Sequence, residues 1–402
     1  MAFVLGIEAL LTDTKAIQRL RKQRVGLVAH PASVTQNLTH SLDALIQAGV
    51  KPHCVFGPQH GARGDKQDNM IESEDYFDPV HKIPVLSLYG KHRRPTAAML
   101  ENLDVVIFDL QDLGCRIYTY ITTLYYFIEA LSGTDTQLFV LDRPNPAGRG
   151  IDGTLLEQGQ ESFVGAVSTP CRYGLTIGEL ALWMNDQCKT PVKLSLVKMQ
   201  DYPAQGSLDT GWPADQAWVN PSPNASSINM AHCFAGTVLL EGTTLSEGRG
   251  TTTPLELIGS PDFPTEQVKA AIESDLGEAL AGAGLRTHFF EPTFHKYQGQ
   301  FCQGLQIHTD RPHFQSHNFK PFALVAYMLK TVRKFRPDLD LWRNHAYEYE
   351  LDRLPIDVIN GGPWIRQWVD DADQDLSDLM TKLSEDADHW RAQAAPYYRY
   401  SF

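Results

Sequence analysis

The sequence predicts an α/β protein: a doubly wound parallel sheet over residues 1–260, followed by a smaller α+β domain over 261–402. Three observations predict it. Short apolar runs alternate with helical patterns through the first half, which is the βαβ signature of a parallel sheet. One of these runs, Val105-Val106-Ile107-Phe108, is apolar on both faces and then turns abruptly polar, as a central parallel strand does at its exit. After about Pro261 the regular alternation gives way to a mixed pattern.

In chain order, Arg24 to His30 reads as the first strand and Ser41 to Ala48 as part of a helix. His53 to Phe56 is a second strand, Pro84 to Tyr89 a third, and Val105 to Leu110 a fourth. Tyr118 to Leu131 follows as a helix, and Leu138 to Asp142 is the fifth strand. A helix near Ile177 to Asn185 and a strand at Val192 to Lys198 continue the series. From Asp201 the chain becomes rich in Pro, Gly, Ser, Asn and Trp; Pro221 and Pro223 rule out regular helix there. The segment FAGTVLLEGTTLSEGRGTTTPLELIG reads as a strand leading into a polar, glycine-rich turn. Thr265 to Ala281 and Pro321 to Phe335 are helical, with strands at RTHFFEPTF and GLQIHTD between them, and acidic helical segments follow.

A chain of 402 residues has material for two domains. Its 43% hydrophobic and 21% charged residues describe an ordinary globular protein. The formal charge of −13 argues against nucleic acid or an anionic membrane as partner. No apolar run approaches membrane-spanning length, and the start lacks the marks of a signal peptide. Six cysteines are scattered singly, without CxxC pairs, as in a reducing compartment. The expectation is a cytoplasmic protein with a small-molecule substrate. Composition leaves the oligomeric state open.

In open α/β sheets ligands bind beyond the carboxyl ends of the strands, and here those exits carry polar groups in unusual density. The second offers Gln59, His60, Arg63 and Asp65; the fourth Asp109, Gln111, Asp112 and Arg116, with Tyr118 and Tyr120 beyond; the fifth Asp142, Arg143 and Asn145. Arg172 and Tyr173 precede GLTIGEL, Asn224 lies in the proline-rich loop, and Glu241, Glu247 and Arg249 flank the glycine-rich turn. Amides and carboxylates suit hydroxyl groups, aromatic faces suit sugar rings, and arginines suit a carboxylate. The set therefore points to a polyhydroxylated, carboxylated ligand. Each arginine has the alternative of a structural ion pair with a nearby aspartate.

Other chemistries lack their signatures. There is no GxGxxG or GxxxxGK[ST] phosphate loop, no GxSxG elbow and no HExxH pair. No metal or other cofactor is expected.

The motifs GPQHGARGDKQDNM (57–70), LSLYGKHRRPTAAML (86–100), DLQDLGCRIYTYI (109–121), LDRPNPAGRG (141–150), RYGLTIGELA (172–181), NPSPN (220–224), LLEGTTLSEGRGTTTPLELIG (239–259) and FEPTFHKYQGQFCQGLQIHTD (290–310) stand in one order. Together they resemble the exo-acting β-N-acetylmuramidases of peptidoglycan recycling, a family long catalogued as a bacterial domain of unknown function. The resemblance implies a Rossmann-like amino-terminal domain, a smaller carboxy-terminal domain, a cleft between them, and release of N-acetylmuramic acid from non-reducing ends. It also implies a glutamate just before the His-Gly pair, a natural general acid; this chain has Gln59. Glycoside cleavage ordinarily uses two carboxyl groups. The residues expected to act are Asp112 and Glu241, with Glu247 in reserve and His60 beside them. A non-catalytic protein that binds muropeptides or acidic sugars is the alternative that Gln59 keeps open.

Overall fold

The computed structural model describes residues 3–62, 72–203 and 211–400. Its larger sheet has seven strands: β1 (Val25–Ala29), β2 (Cys54–Gly57), β3 (Tyr76–Phe77), β4 (Pro84–Ser87), β5 (Val105–Asp109), β6 (Gln137–Leu141) and β9 (Lys193–Val197), in the order β3-β4-β2-β1-β5-β6-β9. All neighbours are parallel except the edge pair β3 and β4. A hairpin of β7 (Asp152–Leu155) and β8 (Pro170–Arg172) stands apart. The second sheet is antiparallel, in the order β10 (Leu257–Ser260), β12 (Cys302–His308), β11 (Gly284–Phe290).

Strand β5 shows why the larger sheet sits where it does. Val105 and Ile107 point into one apolar layer, with Ile7 and Leu10 of helix Gly6–Thr12, Leu5 just before it, and Leu42 and Leu45 of helix Ser41–Gln47. Val106 and Phe108 point into the other, against Ile121, Leu124 and Phe127 of helix Tyr120–Leu131. A strand covered on both faces has no use for a polar residue until it leaves the sheet. The second apolar layer continues without a break into the helices Ile228–Thr237, Pro321–Phe335 and Leu376–Ala394, so the two parts of the chain share one core.

The strand expected near residues 234–240 is instead helix. Ile228–Thr237 is capped by Ser227, whose hydroxyl accepts from Met230 N at 3.0 Å, and it tightens into a 3-10 turn over Val238–Gly242. Every residue from Met230 to Gly242 is buried. Where the whole circumference is covered, an apolar run carries no period to separate helix from strand. The strands and helices that the sequence does name in the first half fall in place within a residue or two at the ends, while the helices Gly6–Thr12, Thr14–Leu20 and Ala97–Leu100 and the strands β3, β7 and β8 carry no such expectation.

The order of strands reverses direction between β1 and β5, and protein groups fill that crevice. His30 is fully buried; its Nε2 accepts from Gln111 N at 3.1 Å. Burial, then the charge of Arg143, push the His30 pKa down to about 3, so the ring is a neutral acceptor. Asp109 receives Arg143 through two bonds of 2.6 and 2.9 Å and also the Ser41 hydroxyl. The open cleft lies to one side, toward the carboxy-terminal domain.

Candidate active site

Several stretches of chain, far apart in sequence, converge on one cleft. The loop after β2 brings Gln59 and His60; the turn after β5 brings Leu113, Ile117, Tyr118, Thr119 and Tyr120. The proline-rich loop brings Ser222 and Asn224, the segment through the glycine-rich turn brings Glu241 and Arg249, and the carboxy-terminal domain brings Tyr347 and Glu348. Tyr118 and Tyr120 meet edge to face at 4.7 Å between centroids, and Tyr120 is fixed by its hydroxyl donating to Pro221 O at 2.6 Å. They present aromatic surface beside amides and carboxylates, a combination suited to a sugar ring.

On one wall a chain of hydrogen bonds runs through Gln59. Thr119 stands at the amino end of helix Tyr120–Leu131, yet its hydroxyl caps nothing; it donates to Gln59 Oε1 at 2.7 Å. That bond fixes the amide orientation, so Gln59 Nε2 faces and donates to Glu348 Oε1 at 2.9 Å. Glu348 Oε2 lies 2.8 Å from the Tyr89 hydroxyl. Burial, with the charge of Glu241 adding to it, pushes the Glu348 pKa up to about 7, against the opposing pull of Tyr89 and Gln59.

Glu348 reaches this position on an unusual turn. Tyr347 and Glu350 exchange backbone hydrogen bonds of 3.1 and 2.9 Å, leaving Glu348 and Tyr349 as a two-residue hairpin loop. Both take positive φ, 45° and 71°, where hairpins ordinarily use Asn or Gly. Left-handed backbone at two such residues costs about 1–3 kcal/mol each. Packing offsets that cost: the Arg93 guanidinium sits 3.1 Å from the centre of the Tyr349 ring, and Tyr89 meets the same ring edge-on at 6.1 Å.

A charge chain also borders the cleft. Arg249 Nη2 donates to Glu241 Oε1 at 2.6 Å, and the Tyr347 hydroxyl donates to Glu241 Oε2 at 2.6 Å. Burial and the neighbouring Glu241 hold the Tyr347 phenol well above its usual pKa, so it remains a donor. The other side of Arg249 faces Glu247, with Nε at 3.2 Å. Burial alone would raise the Glu247 pKa, but Lys296, Arg249 and His295 overcome it and hold it at about 2. Lys296 also donates to Leu240 O and Leu245 O at 2.7 and 2.9 Å, clamping the segment that carries Glu241.

Many of the sequence-predicted residues have other employment. Asp109 and Arg143 pair with each other, as described. Arg116 is fully buried and donates to the carbonyls of Thr154, Thr169 and Asn360 at 2.8, 2.6 and 2.6 Å. Gly361 (φ 75°) permits this, since a Cβ there would stand 3.1 Å from Arg116 Nη2. Arg172 serves the carbonyls of Phe319 and Ser316, at 2.8 and 2.7 Å, and that of Ala147. Asn145 bridges Leu175 O and Ala147 N; Gln111 donates to Pro144 O; Asp142 binds Thr176, Gly178 N and Tyr400. Asp112 is not among the cleft-lining residues. Its carboxyl accepts from Tyr173 and from Gly114 N at 2.6 Å, and burial pushes its pKa up to about 7. Arg63 and Asp65 lie outside the described residues. Gln59, His60, Tyr118, Tyr120, Asn224, Glu241 and Arg249 do meet in the cleft, and Glu247 stands behind Arg249.

Comparison with known proteins places this arrangement. The amino-terminal profile of the exo-β-N-acetylmuramidase NamZ matches residues 25–229, and the carboxy-terminal profile matches 232–400. The chain belongs to the NamZ family of exo-β-N-acetylmuramidases. It is 38% identical to the peptidoglycan β-N-acetylmuramidase NamZ of Bacillus subtilis (strain 168) over 369 residues, covering 91% of this chain and 84% of that one. A DUF1343 family crystal structure from Bacteroides fragilis superposes with a TM-score of 0.83 at 29% identity, covering 99% of both chains. A second from the same organism shares the fold at TM-score 0.71 and 22% identity, covering 100% of this chain and 99% of that one.

The two NamZ regions meet between residues 229 and 232, so Gln59 and the tyrosines enter the cleft from one region and Glu241, Arg249 and Glu348 from the other. Glu348, Tyr347, Tyr89, Thr119 and Lys296 were not singled out from sequence. The one local signal for Glu348 is the run Tyr347-Glu348-Tyr349-Glu350, acids and aromatics alternating where no turn residue stands.

Proposed function

We propose that this chain hydrolyses β-glycosides of N-acetylmuramic acid, releasing that sugar from the non-reducing end of peptidoglycan-derived saccharides in the cytoplasm. The observation that carries the reading is Glu241, set in the cleft between the two NamZ regions and gripped by Arg249 and Tyr347. A carboxylate so held is oriented, and it offers negative charge to the oxocarbenium-like carbon that develops at C1. Whether it attacks C1 or activates a water depends on its separation from the acid once substrate is bound. Tyr118 and Tyr120 offer the sugar a face, and Asn224 has the donors and acceptor that hydroxyl and acetamido groups need. Arg249, with N–H groups beyond those facing Glu241 and Glu247, and His60 suit the lactyl carboxylate. Free thiols, among them Cys115 and Cys171 with sulfurs 3.8 Å apart, support a reducing compartment. Among the described residues no helix is long and apolar enough to cross a membrane.

The test is hydrolysis of 4-nitrophenyl β-N-acetylmuramide and of the N-acetylmuramoyl–N-acetylglucosamine disaccharide, with the N-acetylglucosaminide as control. Turnover of the first two and not the third is expected. Tight binding of N-acetylmuramic acid with no release over days would mean a binding protein instead.

A further inference from the structure

A glycosidase must also give a proton to the departing oxygen, and the amide of Gln59 cannot. We propose that Glu348, delivered from the carboxy-terminal domain on its two-residue turn, is the proton donor of this cleft, and that Gln59 is its positioning residue. This rests on the β-N-acetylmuramidase reading above.

The geometry supports each part. Glu348 lines the same cleft as Glu241, so two carboxyl groups border one space. Gln59 Nε2 is a fixed donor, because Thr119 occupies its carbonyl oxygen. The oxygen it faces, Glu348 Oε1, can only accept, which leaves the acidic proton on Oε2. There the Tyr89 hydroxyl at 2.8 Å can either donate or accept, and so tolerates both the acid and the carboxylate. Among the described residues, the charged and titratable groups around Glu348 include Tyr89, Glu241, Arg93 and Tyr347. Burial and Glu241 favour the neutral acid, and a pKa of about 7 suits a group that must donate near neutrality. Asp112, raised to a similar value, does not line the cleft and has Tyr173 and Gly114 as partners.

In the step itself the C1–O bond breaks and its electron pair leaves with the oxygen, which takes the Glu348 proton as the alcohol departs. One water supplies the hydroxyl group to C1. The proton that this water loses restores Glu348 to its acid form, directly or by way of Glu241 and solvent. The strained turn fits such a role: it holds one carboxyl group at one place instead of letting a long side chain sample many.

The experiment compares wild type, Glu348→Gln, Gln59→Leu and the exchange variant Gln59→Glu/Glu348→Gln on the disaccharide and on the 4-nitrophenyl glycoside. For Glu348→Gln, kcat on the disaccharide should fall by about 10²–10⁴-fold. It should fall much less on the nitrophenyl glycoside, whose leaving group needs little protonation, while binding of N-acetylmuramic acid is kept. Gln59→Leu should shift the alkaline limb of the kcat profile to higher pH, because the carboxylate loses a donor. A purely structural role for Gln59 would leave that limb in place. The exchange variant should regain at least tenfold over Glu348→Gln, since it returns an acid to the adjoining position. If wild type is active and Glu348→Gln stays within fivefold of it on both substrates, the assignment of Glu348 is overturned and the activity stands. A wild type inert on both substrates overturns the reading of the activity and, with it, this one.

Discussion

Arg249 stands 2.6 Å from Glu241 and is the link between the carboxylate at the cleft and the buried charges behind it. Because its other side faces Glu247, one guanidinium holds both the carboxylate at the cleft and the one buried behind it, and substitutions on either side separate their effects.

Glu241→Gln removes the charge at the cleft but keeps the shape and a partner for Tyr347. Turnover should fall by more than about 10³-fold with thermal stability within a few degrees of wild type. Arg249→Met strips the partner from two buried carboxylates and should lose both activity and about 3–5 kcal/mol of stability. Thermal melting and disaccharide kinetics on the same preparations would tell the two effects apart.

Lys296→Met leaves turnover groups in place but deprives buried Glu247 of its ammonium partner. A loss of about 3–5 kcal/mol is expected, a fall in Tm of roughly 5 °C for a chain of this size. Glu247 titrates at about 2 in the fold, below the ordinary glutamate value. Its contribution is therefore present above pH ~4.3 and lost as pH falls toward 2. Acid titration of stability should show that loss in wild type and a much smaller one in Lys296→Met.

Glu348 has the opposite sign. Its folded pKa of about 7 lies above the ordinary glutamate value, so the fold holds the proton more tightly than the unfolded chain does. Stability from this group is full below pH ~4.3 and declines as pH rises through 7. Glu348→Gln cannot ionise, so it should match wild type near pH 4 and be more stable by roughly 1–3 kcal/mol at pH 8. Denaturant melts at the two pH values check it; equal differences at both would contradict the assignment of the raised pKa to Glu348.

Asp109 and Arg143 were expected from sequence to touch the ligand, and the structure makes them a buried pair at 2.6 Å. Asp109→Asn should cost about 3–5 kcal/mol, while KM for the disaccharide measured on the folded fraction stays within about twofold. A large rise in KM with unchanged Tm would return Asp109 to the binding site.

The sheet was legible because its strands are apolar on both faces, and β5 can be read from Val105 to Phe108 alone. The site was legible in part. Gln59, Tyr118, Tyr120, Asn224, Glu241 and Arg249 stand in the cleft, since polar groups at strand exits and glycine-rich turns are aimed there by the fold. Arg116 and Arg172 have the same composition signal but a different fate. Carbonyls orphaned where loops cross the core need donors, and a long guanidinium reaches them before it reaches any ligand. Glu348 was not legible, because its meaning depends on a turn without turn residues and on partners, Gln59 and Tyr89, far away in the chain. The segment around Leu239 was misread for a physical reason as well: complete burial erases periodicity.

Gln59 and Glu348 are 289 positions apart. A polypeptide whose synthesis stops anywhere between them carries Gln59 without Glu348 and lacks part of the shared core. The cleft is therefore complete only when nearly the entire polypeptide has been made and folded back on its own beginning.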